Sequence, residues 1–153
     1  MRLQTYSFHN INLVRDVFIE TGTYEGETTA CAMKAGYKKV HTIEVNRRLA
    51  AAAKAKFAGT IVTVHCGSSP DILPFVCDPT AATTFWLDAH YQGGPKDEMD
   101  IRYGECPVIQ ELDVILSVPW EKKPYILIDD AHIFAMKPNR DEFVAGRNLN
   151  PRE

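Results

Sequence analysis

Two groups of residues in this sequence have types and spacings that could do chemistry. The first is acidic: Asp88 ends the run "FWLD", Asp129 and Asp130 end "YILIDD", and His90 and His132 stand two residues beyond. Carboxylates gathered out of water repel one another and call for a positive charge among them. Hard oxygen donors select Mg²⁺, and an imidazole nearby widens the choice to Mn²⁺ or Fe²⁺. The competing explanation is plain, because strand-end aspartates also cap helices and form turns. A noncatalytic role for each histidine stands beside the ligand role in the same way.

The second group is the turn "ETGTYEGETT", with Gly22 and Gly26 between an apolar run and a helical one. Residues without a β-carbon let backbone amides approach a ligand, and a helix starting near Glu27 would offer its unpaired N–H groups and partial positive charge. No Gly-Lys-Ser/Thr follows, and the spacing is G-x-x-x-G in place of G-x-G-x-x-G, so a triphosphate or a pyrophosphate is a poor guest. Glu25 and Glu27 favour a ligand that is zwitterionic or net positive, and S-adenosylmethionine is the common metabolite of that kind. Glu44, at the end of "VHTIE", follows Gly22 by about 20 residues, the separation expected of an acid that accepts from ribose hydroxyls. Its competing reading is an acid that ends a strand and caps a helix.

These residues can act together only if strands and helices bring them to one edge. Short β-rich runs are expected at Val17–Glu20, Val40–Glu44, Ile61–His65, Thr84–Asp88 and Tyr125–Asp129. Helices are expected at Glu27–Ala35, Arg47–Phe57, Pro70–Val76 and Cys106–Leu116, with Gly36 and Gly59 at helix stops. That alternation predicts an α/β fold, a doubly wound Rossmann-like parallel sheet with helices on both faces. All the acids then fall at the carboxyl edge of the sheet. The stretch 91–104, rich in glycine, proline and charge, reads as a mobile loop over that edge.

In that order the residues resemble the class I S-adenosylmethionine-dependent methyltransferases, in particular their catechol O-methyltransferase-like branch. "FIETGTYEGETT" is similar to that family's E-x-G-x-x-x-G cofactor turn, "HTIEVN" to its ribose acid and "CGSSPDILP" to its adenine-side loop. "FWLDAHY" and "YILIDDAH" are similar to its fourth and fifth strand ends. The resemblance covers about two thirds of the chain. It implies that Glu20, Gly22, Tyr24, Gly26 and Thr28 line the methionine end of the cofactor, that Glu44 holds the ribose, and that Ser68, Ser69 and Asp71 lie beside the adenine. From the residues alone, Ser68 and Ser69 before Pro70 read equally well as a helix N-terminus with its proline.

The resemblance also implies a metal, Mg²⁺, on Asp88, Asp129 and Asp130, which would lower the pKa of a substrate hydroxyl and orient it toward the sulfonium methyl. Asp130 stands where that branch commonly has asparagine. A lysine usually follows the fourth-strand acid, whereas this chain has His90 and Tyr91, so these two and Asp88 are the catalytic candidates, with His90 as base or substrate orienter.

The 153 residues suit a single domain, 1–153, with 1–16 as an N-terminal segment and 135–153 as an irregular tail. Fewer than thirty residues follow the fifth strand, so the sheet is expected to be shortened at its C-terminus, with a homodimer as one way to complete the substrate side. A net charge of −3 with scattered basic pairs argues against nucleic acid, and no apolar run is long enough for a bilayer. The four cysteines form no CxxC pair and fit a reducing cytoplasmic setting. The expected activity is methyl transfer to a small hydroxyl substrate. Two alternatives remain from other classes: a noncatalytic nucleoside-binding module, and a metal-dependent hydrolase or lyase built on the aspartates.

Overall fold

A computed structural model describes residues 14–90 and 101–130. Five parallel strands form one sheet: β1 (Val17–Thr21), β2 (Lys39–Glu44), β3 (Val62–Cys66), β4 (Thr83–Leu87) and β5 (Tyr125–Ile128), in the order β3-β2-β1-β4-β5. Four α-helices connect them: α1 (Glu27–Ala35), α2 (Arg47–Lys56), α3 (Ser69–Val76) and α4 (Val108–Ser117). The expected α/β doubly wound sheet is therefore present, with element limits within one or two residues of those read from the sequence. Among the described residues no helix is long and apolar enough to cross a membrane.

Every residue of β1 and β4 is buried, and apart from Glu20 both runs are apolar or β-branched without polar alternation. Successive side chains leave β1 on opposite faces. Val17 and Ile19 pack with Ile43, Leu73, Phe85, Leu87, Val108 and Ile115 on the α3/α4 side. Phe18 packs with Ala32, Ala35, Tyr37, Val40 and Trp86 on the α1 side. β1 lies between β2 and β4, and the sequence order of the strands reverses there. In open α/β sheets such a reversal is where a crevice for ligands forms, at the carboxyl ends of the two strands, here β1 and β4.

Part of the expected loop is regular. Ile101–Tyr103 forms a 3₁₀ turn, and it is tied down: Arg102 Nη2 donates to Asp71 Oδ2 at 2.6 Å and Tyr103 Oη to Asp71 Oδ1 at 2.7 Å. Tyr91 and the rest of 91–100, the 1–13 segment, His132 and the 135–153 tail lie outside the described residues.

Candidate functional site

The turn after β1 is held from below. Glu20 is fully buried, and its Oε2 accepts from the Thr42 hydroxyl at 2.6 Å and from the Thr29 hydroxyl of α1. Burial pushes its carboxyl up to about 8, against the pull of those two hydroxyls. The threonine that engages Glu20 is thus Thr29, while Thr28, the neighbour expected at the methionine end, is half-buried beside it. Thr23 Oγ1 adds a further hydroxyl contact to Thr42.

Both glycines of the turn are left-handed, Gly22 at φ +82° and Gly26 at φ +72°. A β-carbon on Gly22 would lie 2.5 Å from the Asp88 carbonyl oxygen, and one on Gly26 would lie 2.8 Å from the Phe57 ring. The expectation that these positions lack a β-carbon to admit a ligand is therefore corrected: the space is taken by the protein's own backbone and ring. The consequence is useful, because the absent side chain at Gly22 brings the β1 turn against the end of β4. Gly26 also precedes α1 without any side-chain cap, and the start of a helix is a place that suits an anion.

Glu44 ends β2, 6% exposed, and clamps two turns at once. Its Oε2 accepts the Tyr24 N–H at 2.8 Å and its Oε1 accepts the Asn46 N–H at 2.9 Å. Asn46 in turn caps α2, accepting from the Arg48 and Leu49 amides at 2.9 and 3.1 Å. The capping reading of Glu44 is thus transferred to Asn46, and Glu44 joins the glycine turn to the β2 turn. A carboxylate has about four acceptor positions. Two are occupied here, and the remainder suit the paired hydroxyls of a ribose.

Ser68 and Ser69 begin α3, with Pro70 in its first turn, as the helix-start reading expected. Ser68 makes no side-chain capping bond, and Ser69 donates to Glu111 Oε1. Asp71 is engaged by Arg102 and Tyr103, so it anchors the 101–103 turn to the start of α3.

At the other end the structure gathers Asp88, His90 and Asp130, each offering one ligand atom within 4.8 Å of the others. His90 Nδ1 lies 3.1 Å from Asp88 Oδ1, and its Nε2 lies 3.5 Å from Asp130 Oδ2. The first contact has an ion-pair distance but not hydrogen-bond alignment, and Asp88 Oδ1 is a buried oxygen without a well-formed hydrogen bond. The two carboxylates hold the imidazole above the ordinary histidine range, Asp88 foremost. The positive charge that the acid cluster called for can thus be supplied by His90 itself.

Asp129 stands apart from this group. Its Oδ1 accepts the Asp130 N–H at 2.8 Å, and Asp130 takes a left-handed φ of +50° that swings it toward His90. Residue types fit a divalent ion on Asp88, His90 and Asp130: a buried oxygen lacks a good donor, and the set offers one nitrogen and two oxygens. Such a mixed set favours Mn²⁺ or Fe²⁺ over Mg²⁺, which prefers oxygen alone.

One residue escaped sequence reading. Glu111 of α4 is completely buried and faces Ser69 and Thr21. The signal was present, since Glu111 sits between Val108 and Ile115 on the apolar stripe of an amphipathic helix.

No family model matches this chain, and no curated protein does. Solved structures do. The SAH-bound methyltransferase PaMTH1 of Podospora anserina superposes with a TM-score of 0.62 at 16% identity, over 86% of this chain and 52% of that one. The O-methyltransferase TomG of Streptomyces achromogenes, in complex with SAM, gives 0.59 at 20% identity over 92% of this chain and 60% of that one. An rRNA methylase of Streptococcus thermophilus gives 0.51 at 12% identity over 84% and 71%. The chain thus spans between half and two thirds of the length of the first two. The fold of this chain is the fold of the S-adenosylmethionine-dependent methyltransferases.

Proposed function

We propose that the chain binds S-adenosylmethionine in the crevice between β1 and β4 and transfers its methyl group to a hydroxyl of a small molecule. The observation that carries this reading is the Glu44 clamp, which sets a buried carboxylate with spare acceptor capacity beside a left-handed glycine turn at the switch point of the sheet. The uncapped start of α1 suits the carboxylate of the methionine end, with Glu20, Gly22, Tyr24, Gly26 and Thr28 around it. Ser68, Ser69 and Asp71 form the wall beside the adenine. The fold shared with SAH- and SAM-bound methyltransferases supports the same ligand.

In the transfer, a lone pair of the acceptor oxygen forms a bond to the sulfonium methyl carbon as the carbon–sulfur bond breaks, and S-adenosylhomocysteine leaves. The hydroxyl proton goes to His90, held between Asp88 and Asp130. Tyr91, the next residue in the sequence, is a further candidate base. A divalent ion, if held by Asp88, His90 and Asp130, would supply Lewis-acid stabilisation of the acceptor oxygen. His90 would in that case be one of its ligands. Asp129, the third aspartate of the sequence reading, supports that group by accepting the Asp130 amide. Two aspartates and a histidine are also compatible with metal-dependent hydrolysis, which tight metal binding without any affinity for the nucleoside would favour.

Isothermal calorimetry with S-adenosylhomocysteine, with and without Mg²⁺ or Mn²⁺, tests the reading. Micromolar binding supports it, and no heat at millimolar ligand overturns it.

A further inference from the structure

Glu111 is an acid where the helix pattern would place leucine, and no part of it reaches solvent. Two hydroxyls face it. Ser69 donates to Oε1 from the first turn of α3. Thr21, the last residue of β1, lies on the strand face of Val17 and Ile19, which packs with Val108 and Ile115 on either side of Glu111, and so stands beside the same carboxyl. A hydroxyl has one proton to donate and can accept as well. Thr21 Oγ1 accepts the Asp88 N–H at 3.3 Å, so the same hydroxyl also meets the end of β4. Burial pushes the Glu111 carboxyl up to about 7, and its Oε2 has no well-formed hydrogen bond among the described residues. An apolar side chain at this position would avoid the cost of desolvating a carboxyl, so the acid is offset only through the groups it joins.

Those groups belong to the two ends of the crevice. Ser69 starts the wall on the nucleoside side, and Thr21 holds the backbone of Asp88 on the acceptor side. Resting on the cofactor reading above, we propose that Glu111 is a positioning residue that locks the nucleoside side to the acceptor side through Ser69 and Thr21. It touches neither ligand. It sets the spacing between the turn after β3 and the end of β4, and so the reach from adenosine to the acceptor oxygen. Misplacement of either end by about 1 Å is enough to cost a large factor in a transfer that needs in-line geometry.

A double-mutant cycle tests this, with Thr21→Val and Ser69→Ala read as S-adenosylhomocysteine affinity by calorimetry. Each single change is expected to weaken binding about three- to tenfold, the effect of one hydrogen bond, and the double variant to be no weaker than the worse single. Either change alone opens the bridge, so independent, multiplying losses overturn the proposal. Glu111→Gln, which keeps the shape and the hydrogen bonding, should retain wild-type affinity, while Glu111→Leu should weaken it and make Thr21→Val without further effect. Weak binding by Glu111→Gln as well as Glu111→Leu also counts against the bridge. Should Glu111→Leu fail to fold, the Thr21/Ser69 cycle decides alone. If the wild-type chain binds no S-adenosylhomocysteine, the cofactor reading fails separately, and the same cycle read by thermal unfolding still scores the bridge: additive losses in Tm overturn it.

Discussion

Glu44 and Tyr24 meet where the turn after β1 lies against the end of β2: the Glu44 carboxylate accepts the Tyr24 amide at 2.8 Å, and Tyr24 holds a left-handed φ of +48° to deliver it. A non-glycine residue in that region costs about 1–3 kcal/mol, which the contact with Glu44 helps to offset. Glu44→Ala should lower S-adenosylhomocysteine affinity by about tenfold or more, through loss of a charge-assisted acceptor and release of the turn. Glu44→Gln keeps one acceptor oxygen and should fall between. Calorimetry on the three proteins checks the order, and equal affinities would remove Glu44 from the site.

Glu20 gives the molecule a stability that depends on pH. Its folded value is raised to about 8 from 4.5 by burial. A raised acid contributes in full below its unfolded value and loses that contribution as pH rises through the folded one. Thermal unfolding of the wild type should therefore shift to lower temperature between pH 5 and about 8, and Glu20→Gln should flatten the profile while keeping the Thr29 and Thr42 contacts. An identical pH slope in both proteins would contradict it.

The histidines His41 and His65 act in the opposite direction. His41 Nδ1 and His65 Nε2 lie 3.0 Å apart across β2 and edge strand β3, so one donates to the other and both cannot carry an extra proton. Burial lowers both values below 6.5, with Lys39 adding to His41 and Lys54 to His65. Stability from this pair is present above the ordinary histidine range and lost as pH falls through the lowered values. Urea midpoints should drop below about pH 6, and less so in His41→Gln.

How much of this was legible beforehand follows from range along the chain. The strands and helices were legible because two-sided burial leaves apolar runs and small glycine stops. Glu44 and Asp88 were legible because a strand end puts a side chain at the sheet edge whatever packs around it. For Glu111 only its burial was legible, from the apolar stripe of α4, since its neighbours Ser69 and Thr21 depend on how α4 packs against α3 and β1, which no local pattern encodes. The exchange of Asp129 for His90 in the acid group depends on one left-handed residue, Asp130, and on the turn after β4. Gly22 was assigned to the right turn for a reason that the Asp88 carbonyl replaces.

His90 is the residue on which methyl transfer should depend most. His90→Ala removes the proton acceptor held between Asp88 and Asp130, so transfer should fall by about a hundredfold or more while S-adenosylhomocysteine affinity stays near wild type. Turnover measured with a panel of small hydroxyl acceptors reads the first quantity, and calorimetry the second. Unchanged turnover would take His90 out of the mechanism.

Gly22 and Gly36 form a matched pair for separating backbone strain from contact. Both are left-handed, at φ +82° and +100°, yet a β-carbon on Gly36 meets nothing within 4 Å while one on Gly22 meets the Asp88 carbonyl oxygen at 2.5 Å and its carbon at 2.8 Å. Gly36→Ala should therefore cost only the left-handed penalty, about 1–2 kcal/mol. Gly22→Ala adds a collision with backbone that no rotamer relieves, for a total of about 2–5 kcal/mol. The shift that relieves it moves Asp88 away from the β1 turn, so ligand affinity should fall in Gly22→Ala and persist in Gly36→Ala. Urea unfolding and calorimetry on both variants check this, and equal destabilisation of the two would mean that the β1 turn does not bear against β4.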